Sequence, residues 1–255
     1  MDLEARRRLA DANLIARFDL TRRHVGDPRG GTARFGVVEV TAIGVDASYF
    51  NSVFVADPAA RPEDVAAGLE WVEARGLPVM VRVSEELDPA LRASLEAMGL
   101  TAHPSSLPVM ALEPIPPIPP PPPPEVEIRT GGPELFDDFH AALESDDVIR
   151  RVFGPAVISD PAVRLAVAYL DGEPVSCGAA IRSGSTIGVY AVATIERARR
   201  RGIGGAVSWA AIDAGRAAWE GTIAVLQSSE IGLSVYRAMG FEKVAGYYLY
   251  ARPTT

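Results

Sequence analysis

The sequence is poor in cysteine and histidine, and each scarcity excludes a class of site. With a single cysteine, Cys177, the chain can form neither an internal disulfide nor a multi-cysteine metal site. The three histidines, His24, His103 and His140, have the spacing of neither a zinc site nor a catalytic triad. We therefore expect no metal, a buried apolar role for Cys177, and at most a substrate contact from His140.

Long apolar runs are also missing. No stretch approaches the roughly 20 apolar residues that span a bilayer, and the N-terminal residues 1–10 do not resemble a signal peptide, so we expect a cytoplasmic protein without membrane association. The net charge of −8 and the merely local clusters of basic residues argue against nucleic-acid binding. The chain has 255 residues, of which 48% are hydrophobic, and this is enough for one to two domains.

Proline is abundant in one place. The segment Pro114–Pro124 contains nine prolines in eleven residues and ends in six consecutive prolines. Such a run forms polyproline II at roughly 3.1 Å per residue, so it spans about 34 Å. We interpret it as a linker or a strap on the domain surface, with a ligand for an SH3-like domain as the alternative. It divides the chain into residues 1–113, 114–124 and 125–255.

A glycine-rich junction carries the main functional signal. The segment Arg199–Gly204 reads R-x-x-G-x-G, and Gly205 follows it. A strand is predicted before it at 187–193, a helix after it at 206–218, and a second strand at 222–226. A tight glycine turn into a helix N-terminus suits a phosphate group. The loop matches neither the P-loop nor the dinucleotide-binding pattern, so nucleotide hydrolysis and NAD binding are disfavoured.

A further segment follows the second predicted strand. Ser229 can cap a short helix, Gly240 can end it, and its apolar positions are expected to share one face: Ile231, Val235 and Met239. Tyr236 lies on the same helix.

These three segments in this order resemble the GCN5-related N-acetyltransferase (GNAT) superfamily over roughly residues 126–253. Val192–Thr194 match the strand end whose backbone binds the pantetheine arm, and Arg199–Gly204 match the R/Q-x-x-G-x-G/A pyrophosphate loop. Ser229, Gly232 and Tyr236 fall on the N-x-x-A-x-x-x-Y helix, and residues 240–241 match the G-F pair that leads into the last strands.

The resemblance implies an α/β fold with a mixed sheet, the acyl-CoA N-acyltransferase fold. It implies acetyl-CoA as cosubstrate and Tyr236 as general acid. Backbone N–H groups near the end of the strand are expected to polarise the thioester carbonyl, because a bulge there is typical of the family. The implied cofactor-binding residues are Val192, Ala193, Thr194, Arg199, Arg200, Arg201, Gly202, Ile203, Gly204, Gly205 and Ser229.

Some positions depart from the family pattern. Ser229 stands where Asn is usual, Gly232 where Ala is usual, and Glu196 where Pro is common. The basic side chains of the loop can also be read as a solvated charge run, with the backbone amides as the main phosphate ligands.

The expected activity is transfer of an acetyl group from acetyl-CoA to the amine of a small molecule or peptide. The general base is not identifiable, since the candidate acids are better explained as solvated loop residues: Glu144, Asp146, Asp147 and Glu173. A water relay or an amine that arrives neutral stays open. The alternative is a non-catalytic acyl-CoA-binding or partner-binding protein, and a homodimer is compatible with either function.

The two halves of the sequence also resemble each other. Residues 81–85 and 93–100 read like residues 225–230 and 234–241, both ending in A-M-G followed by Leu or Phe. Leu95 takes the place of Tyr236, and no glycine loop precedes this segment. Against the competing explanation of chance similarity, we predict that residues 1–113 form a degenerate acetyltransferase lobe in a tandem fold with one active site per chain. The elements expected in this half are a helix at 3–23, strands at 35–40, 52–55 and 78–83, and helices at 62–75 and 89–98.

Overall fold

The computed structural model describes residues 1–87 and 89–253. They form two compact units, one made of residues 1–17 and 110–244 and the other of residues 18–109 and 245–255, of which 254–255 lie outside the described residues. Each unit is therefore assembled from both halves of the sequence. The predicted division at the proline run follows the order of the sequence. In the structure, each compact unit also contains a terminal segment from the other side of the proline run, residues 1–17 in one unit and 245–255 in the other.

The unit of residues 18–109 and 245–255 contains a sheet, the end of the N-terminal helix Leu3–Val25 and, among its described residues, two further α-helices. Its strands follow the order β1-β2-β3-β4-β12, and β5 pairs with β12. The bounds are β1 Gly31–Phe35, β2 Val38–Ala42, β3 Asn51–Val55, α2 Pro62–Glu73, β4 Met80–Ser84, α3 Pro89–Ala97, β5 Thr101–Ala102, β6 Leu107–Leu112 and β12 Glu242–Ala251. The strands β3 and β4 are parallel, and β12 runs antiparallel to β4.

The core of this unit lies between its sheet and its helices. Valines of β2, β3 and β4 pack against Val65, Leu69 and Val72 of α2 and against Leu91 and Leu95 of α3. The strand predicted at 35–40 is wrong as one element, because Gly36 has a φ of +55° and turns the chain between β1 and β2. Apolar residues stand on both sides of Gly36 in the sequence, and this pattern predicts one continuous strand.

The other unit begins with the long helix α1, Leu3–Val25, of which residues 1–17 belong here. Its strands follow the order β6-β11-β10-β9-β8-β7. The bounds are β7 Val126–Gly131, α4 Phe136–Leu143, α5 Asp147–Val152, α6 Pro155–Ile158, β8 Val163–Leu170, β9 Glu173–Ser183, β10 Thr186–Thr194, α7 Ile203–Trp219, β11 Ile223–Gln227 and α8 Leu233–Ala238. Strands β7 to β10 are antiparallel, and β10 and β11 are parallel with α7 as the crossover.

The two halves of the sequence repeat one pattern, as predicted. A parallel strand pair with a crossover helix occurs as β3-α2-β4 and again as β10-α7-β11. Each is followed by a short helix and a glycine with positive φ, Gly99 at +80° and Gly240 at +94°. The fold is a mixed α/β sheet in both, as expected.

The proline run contacts the unit of residues 1–17 and 110–244 at both of its ends. Arg216 of α7 donates to the Pro116 carbonyl at 2.8 Å, and Ile115 packs against the core beside α7. At the other end, Pro123 lies near Gly202. Ile118, in the middle, is exposed. The run thus lies along the surface as a strap rather than as a free linker. None of the described helices is long and apolar enough to cross a membrane.

Candidate functional site

The glycine loop and the first turn of α7 form a cradle of backbone amides. Arg200 and Gly202 have φ of +61° and +76°, and these two left-handed residues turn the chain from Arg199 into the helix. The first helical bond runs from Ala206 N to Gly202 O at 3.0 Å. Within the described part of the chain, the six amides of residues 200–205 have no backbone acceptor. Consecutive free N–H groups at the positive end of a 17-residue helix make an anion site.

The side chains of the cradle lie mainly outside it. Arg199, Arg200 and Arg201 are exposed, and Arg199 Nε donates to the Thr194 carbonyl at 3.0 Å. Arg201 forms an ion pair with Glu125 at 3.0 Å, directly after the proline strap. The backbone amides of residues 200–205 rather than these side chains therefore form the built part of the cradle.

The predicted strand end lies next to the cradle. A Cβ atom on Gly204 would lie 3.3 Å from Thr194 Oγ1, which in turn contacts Ser176 Oγ at 2.9 Å. Val192–Thr194 are half-buried. The structure thus brings together the two segments that the sequence placed on separate elements.

The bulge expected near the end of the strand is present in β10. Ala191 has a φ of +51°, and the register with β9 shifts between Tyr190 and Ala193. The parallel register with β11 stops earlier, at the pair Val189 and Leu226. Beyond this pair, β10 has no strand partner on its β11 side within the described residues. A ligand can therefore pair with this edge.

Tyr236 lies on α8 and is 8% exposed. Its ring packs edge-on against Phe241, with the two ring centres 5.7 Å apart. Burial raises the pKa of Tyr236 above its usual value, and the nearby hydroxyl of Ser208 opposes part of this rise. Tyr236 therefore stays protonated at neutral pH.

The segment around Ser229 differs from the prediction. The helix begins at Leu233, and Ser229 instead closes a turn by accepting from Gly232 N at 3.2 Å. Ile231 lies in this turn and is 91% exposed, while Val235 is 40% exposed. Ile231 is therefore not part of the helix, contrary to the prediction, and within the six-residue helix the buried side chain is that of Tyr236. Gly240 ends α8 as predicted, with Phe241 N donating to Tyr236 O at 2.9 Å.

The segment of α8 lies close to the cradle at Gly205, in the first turn of α7. A Cβ atom on Gly205 would lie 3.6 Å from Val235 Cγ1 and 3.9 Å from Met239 Sδ. All three predicted segments thus meet around the start of α7.

The structure brings no acid of the predicted set into the cradle. Glu144, Asp146, Asp147 and Glu173 are exposed, and Asp146 caps α5 by accepting from Ile149 N at 2.8 Å. The described residues contain no cluster of metal-ligating side chains. Cys177 is buried in β9, and burial raises the pKa of its thiol to about 12, so it is no nucleophile at neutral pH.

His140 is a structural residue of the α4–α5 region. It is buried, its Nε2 donates to the Phe153 carbonyl at 3.1 Å, and its Nδ1 accepts from Ser145 Oγ at 2.8 Å. A carbonyl can only accept, which fixes this neutral tautomer.

Acidification is expected to destabilise the fold through His140. Burial lowers its pKa below 6.5, so the unfolded chain binds the proton more tightly than the folded one. This contribution to the free energy of unfolding is complete above pH 6.5 and is lost as the pH falls toward the folded-state pKa. When the pH is lowered from 7.5 to 5.5, the thermal midpoint of unfolding is expected to fall less in His140→Asn than in the wild type. An equal fall in both proteins would contradict this role.

Sequence reasoning missed several residues of this region. Asn13 of α1 accepts from the Tyr190 hydroxyl at 2.6 Å and donates to Thr186 Oγ1 at 2.9 Å. Arg17, 4% exposed, lies 5.3 Å from the Tyr190 ring and 5.6 Å from the Phe153 ring. Asn13 is 173 residues from Thr186 and 177 residues from Tyr190 in sequence. No local pattern signals such contacts.

A resemblance to a known family is found in the C-terminal part of the chain. Residues 131–241 match the model of the acetyltransferase (GNAT) family. The matched segment contains β10, the cradle, α7, β11 and α8. No curated protein matches the chain.

Solved structures extend the GNAT fold over both halves. A GCN5-related N-acetyltransferase from Kribbella flavida superposes with a TM-score of 0.70 at 21% identity, covering 97% of this chain and 95% of that one. A second GCN5-related N-acetyltransferase, from Sphaerobacter thermophilus, superposes with a TM-score of 0.62 at 20% identity, and the match covers 86% of this chain and 77% of that one. A tandem GNAT protein from the clavulanic acid biosynthesis pathway superposes with a TM-score of 0.61 at 15% identity, and the match covers 90% of this chain and 85% of that one. The N-terminal half therefore resembles a further GNAT lobe, which agrees with the predicted repeat.

Proposed function

We propose that the chain is an acetyl-CoA-dependent N-acetyltransferase with one cofactor site. The row of six free amides at residues 200–205 carries this proposal, because it suits a pyrophosphate and lies within the segment that matches the GNAT family model. Residues 1–113 contain no R-x-x-G-x-G segment. Val192–Thr194 would pair with the pantetheine arm along the open edge of β10. Ser229, exposed at the end of β11, would add a weaker polar contact than the usual asparagine.

The acetyl group moves by direct attack. The neutral amine forms a bond to the thioester carbon while the carbon–sulfur bond breaks. Backbone N–H groups beside the Ala191 bulge stabilise the oxyanion. Tyr236 gives its hydroxyl proton to the departing thiolate, and the amine nitrogen loses one proton in turn, so the net products are an amide and CoA thiol. The proton from the amine nitrogen passes to water, and the Tyr236 phenolate regains its proton from water.

Two measurements test this function. Calorimetry with acetyl-CoA and with CoA is expected to show one site per chain. Thiol release is then followed with a panel of amines, amino acids, polyamines and aminoglycosides. Absence of binding in the first experiment rejects the proposal.

A non-catalytic acyl-CoA-binding protein is the second candidate. Three observations favour this candidate. Ser229 is exposed, glycine stands at position 232 where alanine is usual, and the candidate acids are exposed. A Cβ on Gly232 would lie 3.1 Å from a Tyr236 ring carbon, so the usual alanine does not fit here without a shift of that ring. Binding of acetyl-CoA without thiol release for any amine would select this candidate.

Removing the acid that holds Arg201 is expected to tighten cofactor binding. Glu125 and Arg201 are both about half-exposed, and the pKa of Glu125 is lowered by its own backbone amide and by Arg201. Exposed pairs are weak, so Glu125→Gln should lower the Kd for CoA by no more than about fivefold. Glu127→Gln, on the pair with Arg129, is the matched control, and its Kd should not change. A higher Kd for CoA in Glu125→Gln would contradict this prediction and show that the ion pair of Glu125 with Arg201 supports the loop.

A further inference from the structure

Gln227 is the last residue of β11 and lies where the two parallel strands part. The final register pair is Val189 with Leu226, so Tyr190 and Gln227 are the next positions on the two strands. Val189, Ala224 and Leu226 share a core with Trp209 and Ile212 of α7. Because side chains alternate along a strand, Gln227 faces away from α7.

Gln227 shares its face of the sheet with Tyr190, and this is the face that α1 contacts. Tyr190 points to α1, where its hydroxyl meets Asn13 and its ring meets the buried Arg17. The amide cradle, by contrast, is built on α7 at the other face. A molecule that reaches Gln227 from the Tyr190 side is therefore the acceptor and not the phosphate end of the cofactor.

The amide of Gln227 has an unused donor. Among the described residues, Gln227 Nε2 is buried and has no hydrogen-bond partner. Leaving a buried donor unpaired is unfavourable, so such groups in native proteins commonly mark a place filled by a ligand or water. A donor calls for an oxygen acceptor. Arg17, whose guanidinium carbon lies 5.3 Å from the ring of Tyr190 on the same face, adds a positive charge that favours an anionic oxygen.

We propose that Gln227 donates through Nε2 to a carboxylate oxygen of the acceptor. The acceptor class is then a small amino acid, and a simple amine or polyamine lacks the group that Gln227 binds. This inference rests on the proposed acetyl transfer. Gln227 acts as a specificity residue, since the proton transfers do not involve it.

Matched pairs of acceptors test the inference by thiol release. Each amino acid is compared with the amine that lacks its carboxylate, such as phenylalanine with phenethylamine. The wild type is expected to have the higher kcat/KM for the amino acid. Gln227→Leu should raise KM for the amino acid about tenfold and leave kcat and the KM of phenethylamine unchanged. Gln227→Glu should reverse the preference, because its carboxylate repels that of the acceptor.

A second readout separates binding from folding. Gln227→Leu removes an unpaired buried donor, so its thermal midpoint without ligand should equal or exceed that of the wild type. A clear drop would mean that Nε2 has an internal partner, which overturns the inference. Equal kcat/KM within each pair, with acetyl-CoA bound and amines acetylated, overturns the role of Gln227 alone. Failure to bind acetyl-CoA overturns the proposed function as well.

Discussion

Tyr236→Phe is expected to lower kcat by about 10²–10³-fold and to leave the Kd for CoA nearly unchanged. A positioned general acid contributes about 10²–10⁴-fold. The change removes only the hydroxyl, so the ring can keep its contact with Phe241 at 5.7 Å. The measurement is single-turnover thiol release at saturating substrates, with calorimetry for CoA.

A second tyrosine provides the control. Tyr169 of β8 is also buried, and its hydroxyl donates to Asp138 at 2.5 Å, with burial and this carboxylate raising its pKa to about 12. Tyr169→Phe removes the same group from the same unit without touching the cradle. Its kcat should match the wild type. Unchanged kcat in Tyr236→Phe would reject the acid role.

The pH dependence adds a separate check on Tyr236. Because burial raises its pKa above the usual value of a tyrosine, the acid keeps its proton through the neutral range. The wild-type kcat should therefore show no decline between pH 7 and 9 from this group.

The order of elements around the cradle could be predicted from the sequence. Glycines without Cβ atoms, an apolar strand before them and a helical repeat after them are local signals, and the structure places β10, α7 and β11 within a few residues of the expected bounds. The end of α8 at Gly240 was likewise local. Such features depend on backbone conformation and short-range periodicity.

The features that were missed depend on distant contacts. Three apolar residues at helical spacing predicted a helix that includes Ile231, yet α8 begins only at Leu233, and its buried residue Tyr236 packs against Phe241. The exchange of terminal segments between the halves leaves no local trace. Nor can a sequence pattern reveal that Gln227 Nε2 has no hydrogen-bond partner among the described residues, because this depends on which distant residues the fold places around it.

Gly202→Asp is expected to weaken CoA binding by about 30- to 100-fold, and Gly202→Asn only severalfold. Gly202 has a φ of +76°, and a Cβ there would meet nothing closer than Pro123 Cγ at 3.9 Å. Asn and Asp both tolerate this left-handed conformation, so both variants can keep the turn. They have nearly the same size and differ in charge.

The difference between these two variants isolates the electrostatics of the cradle. A carboxylate at about 4 Å from a phosphate opposes it by about 4 kcal/mol at an effective dielectric constant near 20. Solvent and salt reduce this at an exposed loop, which gives the smaller factor expected here. The effect should shrink as ionic strength rises. Gly172→Asp, at a φ of +84° in a turn with open space, controls for strain and should leave the Kd unchanged. If Gly202→Asp and Gly202→Asn bound CoA equally well, the amides of residues 200–205 would not be where the pyrophosphate binds.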